Sequence, residues 1–427
     1  MKESEMVMLT YLWTNPSFVQ RLDANINKNR SDEFIFRLVD RNNNPVANAD
    51  IHVSMTAHDF RFGIRAVHPN IFNSPETVQR YGDWARTTLN QMTVHTCWRW
   101  LEPTQNNFCL NNLNQSIADA DNYGLKKLAH CLFWDHWDWF KPTWVLPEIN
   151  HDEYMRLWRR YIDVLADKYN DKIDAWHVIN EATFKEDGKL SDRVIVQNGF
   201  YKAFDYTRQK LKGEQGACFY QDAFYTACKQ GMQAPAYVIT KDLIKRGIPV
   251  DFISFQFHVF DNRWLQQEYH PGNIRRTIEK FGAFGVPIEI AEFGVYFGID
   301  LHHPDLRDSN HDPAVQAALI KSMYKFFFSL SEMRAVTYWH EFGRNAWNVN
   351  MITDENWNLL PSGQEITNLI NNTWKTNVSG KTDCEGIFAS RCFFGDYRID
   401  VQTKDGLFTY NVPLRKQSDR NIVFTLP

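Results

Sequence analysis

The chain has 427 residues, with 47 basic and 51 acidic side chains and a formal net charge of −4. The charges are spread along the chain without a basic block, which predicts no nucleic-acid partner and no binding to an anionic membrane surface. The length suits one α/β barrel with additions or two to three smaller domains. The sequence contains no run of 18 apolar residues, so we predict no membrane-spanning helix.

The first 18 residues lack the long apolar core and small-residue cleavage site of a signal peptide. The compartment therefore stays open: the protein is intracellular, or it is secreted or periplasmic with its leader removed. The seven cysteines have no zinc-type spacing, so we predict no metal site. The 15 Trp, 17 Tyr and 31 Phe indicate either a large aromatic core or a groove whose walls stack on sugar rings.

The two ends of the chain have strand-like patterns. Residues 33–58 alternate apolar and polar side chains around a turn at 41–45. Residues 386–427 contain three further strand-like pieces, two of them joined by Asp405-Gly406, a hairpin signal. Because each end alone is too small for a stable sandwich, we expect 1–58 and 374–427 to pair into one accessory β-sandwich.

Between the ends, eight short apolar runs alternate with amphipathic segments. The runs begin near residues 60, 92, 126, 173, 217, 251, 286 and 335. They are continuous, as in parallel strands that are buried on both faces. Residues 152–168, capped by Asp152, and 312–330, starting at Asp312-Pro313, are predicted helices. Eight such units predict a closed (β/α)8 TIM barrel over 59–373; an open doubly wound sheet is less favoured because no Gly-rich phosphate loop follows the first strand.

Polar residues follow the predicted strands, where the active sites of such barrels lie. In chain order they are Arg99, Glu102, Trp134, Asp135, His136, Asn180, Glu181, Gln221, Asp222, Gln256, His258, Glu292 and Trp339. Glu181 and Glu292 would face each other across the barrel mouth. Two opposed carboxyl groups can hydrolyse a glycosidic bond, with one as acid and the other as nucleophile or as base for water, according to their separation. Either glutamate alone would more often be a paired structural carboxylate; their combination, with Asn180, His258 and Trp339, favours catalysis.

Five motifs around these residues match a known series in the same order. WHVINEATF at 176–184 is similar to W-D-V-V-N-E-A, AHCLFWD at 129–135 to H-T-L-V-W-H, FISFQFH at 252–258 to I-G-L-Q-x-H, PIEIAEF at 287–293 to P-I-x-I-T-E-L, and WHEFGRNAW at 339–347 keeps both tryptophans of W-G-x-x-D-x-x-S-W. Together they resemble glycoside hydrolase family 10, the family of retaining endo-β-1,4-xylanases. The terminal stretches 59–63 and 393–401 resemble the flanking β segments of its plant-type members.

The resemblance implies a role for each matching residue. Glu181 would be the general acid and then the base, and Glu292 the nucleophile. Asn180 would hydrogen-bond the sugar 2-hydroxyl. The remaining implied contacts with Glu292 or with sugar come from His258, Gln256, His130, Trp134, Trp339 and Trp347. The implied substrate is a β-linked polysaccharide, xylan first, and the mechanism needs no cofactor.

The chain departs from the family where sugars on the non-reducing side would bind. Val94 and Cys97 occupy the positions of a sugar-binding Asn and Lys, and Arg99 supplies only part of the lost charge. Asp135 followed by His136 occurs where the family has His, and Gly294 replaces an Asp. These changes keep open a different β-glycan, exo action or transglycosylation, and a non-catalytic carbohydrate-binding barrel. The His- and Asp-rich residues 301–312 are predicted to be a solvated loop rather than a metal site.

Overall fold

The computed structural model describes residues 10–134, 137–146, 148–181, 199–219, 221–260, 270–296, 313–339, 352–354 and 356–426. Its strands are β1 Ser31–Val39, β2 Asp50–His58, β3 Arg61–Arg65, β4 Gln91–His95, β5 Lys126–His130, β6 Ala175–Ile179, β7 Glu214–Phe219, β8 Phe252–Phe260, β9 Ile288–Tyr296, β10 Met333–Tyr338, β11 Asn377–Lys381, β12 Ile387–Phe393, β13 Gly395–Thr403, β14 Gly406–Leu414 and β15 Asn421–Thr425.

The α-helices lie mostly between successive barrel strands. They are α1 Pro16–Arg30, α2 Pro75–Thr88, α3 Trp98–Leu101, α4 Asn111–Tyr123, α5 Trp137–Phe140, α6 His151–Tyr169, α7 Gly199–Lys210, α8 Gln221–Gln230, α9 Pro235–Lys245, α10 Pro271–Gly282, α11 Pro313–Ser329 and α12 Pro361–Asn368.

Strands β3 to β10 close into a parallel barrel, in which β10 pairs with both β9 and β3. All eight predicted strands are therefore confirmed, as is the TIM-barrel fold. The strands are short and buried on both faces because a helical layer covers the outside and side chains fill the inside. Their carboxyl ends meet on one face of the barrel, and that face positions the site described below.

The predicted helix at 152–168 is present as α6, but its cap differs from the expectation. The N-cap is Asn150, whose side chain accepts a hydrogen bond from the Glu153 amide. Asp152 lies inside the first turn, where a negative side chain complements the positive end of the helix dipole. The prediction that Asp152 caps this helix was wrong because Asp and Asn at neighbouring positions carry similar capping signals.

The chain ends form two extra sheets with a shared apolar core. One sheet has the order β12-β1-β15 and the other β11-β2-β13-β14. Phe34 and Phe36 from β1 are fully buried with Val53 from β2 and Ile399 from β13. Strands from both ends thus build the accessory β-sandwich, as expected. The division at 58/59 and 373/374 into separate units stays a prediction.

Helix α1 packs against the barrel, although it belongs to the amino-terminal segment. Asp23 pairs with Lys325 of α11 at 2.8 Å, and the Asn29 amide donates to the Ser329 carbonyl at 2.8 Å. Its start is marked in the sequence by Asn15, whose side chain accepts from two backbone amides, followed by Pro16. That signal was available but was not used to predict the helix.

Candidate active site

The centre of the mouth is a single amide that contacts both candidate carboxyl groups. Gln256 Nε2 donates to Glu181 Oε1 and to Glu292 Oε1, each at 3.0 Å. The two oxygens are therefore separated by no more than twice 3.0 Å. A register shift between Phe255 and Gln256 places Gln256 beside Glu292 on the paired strands β8 and β9. All three side chains are buried, with at most 8% exposure.

Glu181 follows β6 in an unusual backbone conformation. Its φ is +52°, in the left-handed region that few residues other than glycine adopt. This conformation ends the strand and coincides with the carboxyl group's contact with Gln256. The indole N–H of Trp134 donates to Glu181 Oε2 at 2.6 Å. Strain of this kind is common at functional sites, where surrounding contacts hold the residue in place.

Glu292 lies between two imidazoles. His258 Nε2 is 3.1 Å from Glu292 Oε2, and His130 Nε2 is 3.6 Å from Glu292 Oε1. Together with Gln256, these rings offer polar contacts to both carboxylate oxygens. The arrangement suits a carboxylate that must stay oriented while it reacts.

Asn180 immediately precedes Glu181 and has an unpartnered acceptor. Its side chain is 2% exposed, and no residue described by the structure donates a hydrogen bond to its Oδ1. Its backbone amide is held by the Phe133 carbonyl at 2.7 Å. A buried amide oxygen without a donor costs free energy, so it suits a substrate hydroxyl that supplies one.

Aromatic and imidazole rings form a wall on the β4 side of the centre. Trp339 packs edge-on against His130 at 5.1 Å and against His95 at 5.8 Å between ring centroids. His95 also packs edge-on against Trp100, whose side chain is 52% exposed. Arg65 lies 5.6 Å from the Trp339 ring. We call His95, Trp100 and Trp339 the ring wall.

Three histidines occupy one level of the barrel interior. His95, His130 and His177 are register partners on β4, β5 and β6. Burial, the neighbouring His177 and Arg65 hold the pKa of His130 well below its usual value. Burial and Arg334 lower the pKa of His177 to about 3. Both rings are consequently neutral near pH 7, and their nitrogens act as one donor and one acceptor each.

Two of the positions that depart from the family motifs, Val94 and Cys97, are buried. Val94 is completely buried and Cys97 is 3% exposed, with its thiol 3.6 Å from the Trp139 carbonyl. Burial in an apolar site raises the pKa of Cys97 to about 12. Neither side chain can serve as a polar sugar contact in this conformation. Gly294 lies beside His258 in the strand pairing.

The structure thus brings together eight of the sequence-predicted residues: Glu181, Glu292, Asn180, Gln256, His258, His130, Trp134 and Trp339. Arg99 lies half-buried on α3, at the carboxyl end of β4. Asp135, His136 and Trp347 lie outside the described residues, as does the loop 301–312.

Sequence reasoning did not single out His95, His177 or Arg65. Each follows the alternation that sends every second strand residue into the barrel interior. That alternation, applied to β4, β5 and β6, was the signal that could have identified the row of histidines.

Within the described parts of the chain, no group of three His, Cys, Asp or Glu side chains is placed to hold a metal ion. Nor do those parts contain a helix with the length and apolarity needed to cross a bilayer.

The chain is similar to known proteins in sequence and in fold. The model of the family described as glycosyl hydrolase family 10 matches residues 53–365. An endo-1,4-β-xylanase of Geobacillus stearothermophilus is 24% identical over 342 residues, which cover 73% of this chain and 96% of that protein. The crystal structure of xylanase 10B from Thermotoga petrophila in complex with xylobiose aligns with a TM-score of 0.61 at 19% identity, covering 74% of this chain and 95% of that one. At that identity the structural likeness shows the fold.

A further relative is longer than this chain. The anti-sigma-I factor RsgI6 of Acetivibrio thermocellus is 22% identical over 410 residues, which cover 95% of this chain. The chain spans about half of that relative, 49% of its length. The match therefore extends beyond the barrel into the terminal β segments.

Proposed function

This chain belongs to glycosyl hydrolase family 10, and on that premise we propose that it hydrolyses a β-linked polysaccharide, xylan first, with retention of configuration. Glu181 acts as acid and then base, and Glu292 is the nucleophile. Asn180 accepts a hydrogen bond from the sugar 2-hydroxyl, a contact that strengthens in the transition state.

One observation carries the proposal: Gln256 Nε2 contacts both carboxyl groups at 3.0 Å. These two contacts limit the separation of the Glu181 and Glu292 Oε1 atoms to twice 3.0 Å. That limit lies near the roughly 5–5.5 Å between carboxyl groups that is typical of retaining enzymes. It lies below the ~6.5–9.5 Å that leaves room for an attacking water in inverting enzymes.

The reaction follows from this arrangement in two steps. Glu181 protonates the leaving oxygen while Glu292 attacks the anomeric carbon and forms a glycosyl ester. Glu181, now ionised, takes a proton from water, and the resulting hydroxide displaces Glu292 from the sugar. His258 and Gln256 keep the Glu292 carboxylate oriented before attack. They contact it again when hydrolysis of the ester restores its negative charge.

The test compares Glu181→Gln and Glu292→Gln with the exposed control Glu33→Gln on an aryl β-xyloside and on xylan. We expect each site variant to lose at least about 10³-fold in kcat on xylan, and the control to match the wild type. Proton NMR of the first product should show the β-anomer. An α-anomer, or near wild-type turnover by either site variant, would contradict the proposal.

The sugar is the finer part of the proposal. Val94 and Cys97 offer no polar contact, whereas the ring wall offers apolar faces on which a sugar could stack. We expect Trp100→Ala to raise KM for long oligosaccharides about 5- to 10-fold and to leave an aryl glycoside unaffected, because stacking contributes about 1 kcal/mol. The same assay on xylan, mixed-linkage glucan and cellulose oligosaccharides identifies the glycan and separates endo from exo action.

A second candidate is a carbohydrate-binding barrel without turnover. The observation that favours it is the match over 95% of the chain to a protein named an anti-sigma factor rather than a hydrolase. This candidate predicts that the purified chain binds xylo-oligosaccharides in calorimetry while releasing no reducing ends. Hydrolysis that is abolished in Glu292→Gln would exclude it.

A further inference from the structure

A chain of buried polar groups joins Glu292 to a second glutamate at the opposite end of the barrel. His130 Nε2 faces Glu292, and His130 Nδ1 lies 2.8 Å from His177 Nδ1. His177 Nε2 lies 3.0 Å from Ser254 Oγ, which lies 3.4 Å from Glu289 Oε2. All five side chains are at most 5% exposed. We call this series the relay.

The 2.8 Å contact between the two Nδ1 atoms constrains the protons. Each ring is neutral, so each carries one N–H, and one proton must lie between the two Nδ1 atoms. In one arrangement His177 donates to His130, and His130 Nε2–H points at Glu292. In the other, His130 donates to His177, and His177 Nε2–H points through Ser254 towards Glu289.

The relay can direct an N–H group towards Glu292 or towards Glu289, but not towards both. The charges around each glutamate indicate which arrangement is favoured. Glu289 Oε1 accepts from Arg334 at 2.6 Å, with Arg61 at 4.0 Å, so its charge is already compensated. Within the described chain, the ion-pair partners of Glu292 are the imidazoles of His130 and His258. The long 3.4 Å distance from Ser254 to Glu289 also fits a hydroxyl that donates to His177 instead.

The opposite arrangement would place an unprotonated His130 Nε2 against the Glu292 carboxylate. Two acceptors would then face each other at 3.6 Å in a buried site, which is unfavourable. The arrangement with donors pointing at Glu292 avoids this repulsion and keeps the hydrogen bonds from His177 to His130 and from Ser254 to His177.

We propose that His177 is a positioning residue that fixes the tautomer of His130, so that the Nε2–H group of His130, rather than a bare lone pair, points at the nucleophile Glu292 from 3.6 Å. The family motif W-D-V-V-N-E-A, which residues 176–182 resemble, has an Asp at the position of His177. A carboxylate there can only accept from His130, whereas the His177 ring donates to it. This proposal rests on the proposed function for its catalytic consequence, but the tautomer itself does not depend on turnover.

The groups that face the relay from each strand define the electrostatics of the test. His130 faces Glu292 from β9, Arg65 from β3, His95 from β4 and Trp339 after β10. His177 faces Ser254 and the Phe252 ring from β8, and Arg334 from β10 lowers its pKa.

Two nearly isosteric substitutions test the donor role. Asn places an amide where the His177 Nδ1–H lies, whereas Asp places only acceptors there. We expect His177→Asn to keep the wild-type pH profile of kcat/KM, within about fivefold in magnitude. In His177→Asp, His130 can donate to both neighbours only as an imidazolium. Its kcat/KM should therefore fall as pH rises through the pKa of that imidazolium, a step absent from the wild type. Identical profiles for the Asp and Asn variants would overturn the proposal, since both side chains can accept from His130.

A measurement without turnover keeps the test decisive if a variant does not fold. NMR of the wild-type protein with ¹⁵N-labelled histidine should show His130 as the Nε2–H tautomer and His177 as the Nδ1–H tautomer. His130 as the Nδ1–H tautomer would overturn the proposal. Activity that persists in Glu292→Gln would instead refute the proposed function and leave the tautomer result standing.

Discussion

Gln256 and Glu292 are register partners on neighbouring parallel strands, and the Gln256 amide nitrogen reaches across the mouth to Glu181 as well. A residue that is neither the proposed acid nor the proposed nucleophile thus contacts both carboxyl groups. Its two N–H groups supply one hydrogen bond to each carboxyl group. Gln256 and the two proposed catalytic glutamates consequently form one hydrogen-bonded unit of three residues.

Replacing Gln256 by Met keeps the volume but removes both hydrogen bonds. We expect kcat/KM to fall about 10²-fold, because neither carboxyl group keeps its shared donor. Steady-state kinetics on an aryl glycoside measures the loss, and Gln402→Met, at an exposed position near the end of β13, serves as the control. A Gln256→Met enzyme within twofold of the wild type would show that the amide does not set the geometry.

Asn180 should matter for activity and not for stability. We expect Asn180→Ala to lower kcat about 10²- to 10³-fold while the free energy of unfolding stays level or rises, because a buried acceptor without a donor is removed. Urea unfolding and kinetics on the same preparation separate the two effects.

Asn90 supplies the matched contrast. Its amide donates to the His58 and Phe60 carbonyls at 3.0 and 2.9 Å and accepts from the Phe62 amide at 2.8 Å. Asn90→Ala should cost about 2–3 kcal/mol of stability and leave kcat per folded molecule unchanged. Equal stability losses in the two variants would argue against an unpartnered Asn180.

Acid should destabilise the fold through its buried histidines. His177 is fully buried, and its pKa is lowered from 6.5 to about 3 by burial and by Arg334. Between these pH values the unfolded chain binds more protons than the folded one, so the free energy of unfolding decreases as pH falls from 6.5 towards 3. Each unit of difference corresponds to about 1.4 kcal/mol.

The measurement is urea unfolding at several pH values between 7 and 4. His177→Asn should show a shallower decline than the wild type, because it removes one of the groups that must take up a proton on unfolding. An unchanged slope would mean that His177 is not held neutral in the folded state.

Arg30 joins the end of α1 to the barrel and should be important for stability. Its guanidinium donates to the carbonyls of Phe328 at 2.6 Å, of Met333 at 2.7 Å, and of Leu330. Burial lowers its pKa to about 10, which leaves it charged at neutral pH. Arg30→Met should cost about 3 kcal/mol or more, since three buried carbonyls lose a donor.

Thermal unfolding measures this loss, with Arg275→Met as the control. Arg275 forms an exposed i,i+4 ion pair with Glu279, and we expect that pair to contribute under about 0.5 kcal/mol to stability. Neither change should alter kcat. A Tm shift for Arg30→Met no larger than that of the control would contradict the assigned role.

The sequence predicted the barrel well because its evidence is local. Eight continuous apolar runs separated by amphipathic segments specify buried parallel strands, and a polar residue after such a run must lie near the mouth. Glu181, Glu292 and Gln256 could all be named in this way. Helix α1 and the Asn150 cap could also have been found locally, since Asn15-Pro16 and Asn150 are ordinary start signals.

The contacts between those residues could not be obtained from the sequence. Whether Gln256 reaches one glutamate or both depends on the register shift between β8 and β9, and that shift arises only when the barrel closes. The left-handed backbone at Glu181 likewise depends on tertiary contacts, because a glutamate alone does not favour it.

The sequence by itself determined the strands, their order and the candidate acid and nucleophile, because periodicity and short motifs are properties of neighbouring residues. Only the tertiary structure decided that one amide spans the two glutamates, that His130 meets His177, and that Val94 and Cys97 are buried. The contacts of Gln256 with the two glutamates and of His130 with His177 join residues 36 to 75 positions apart. The distances between these residues are fixed by strand register and by packing inside the closed barrel. A local sequence pattern contains no information on either.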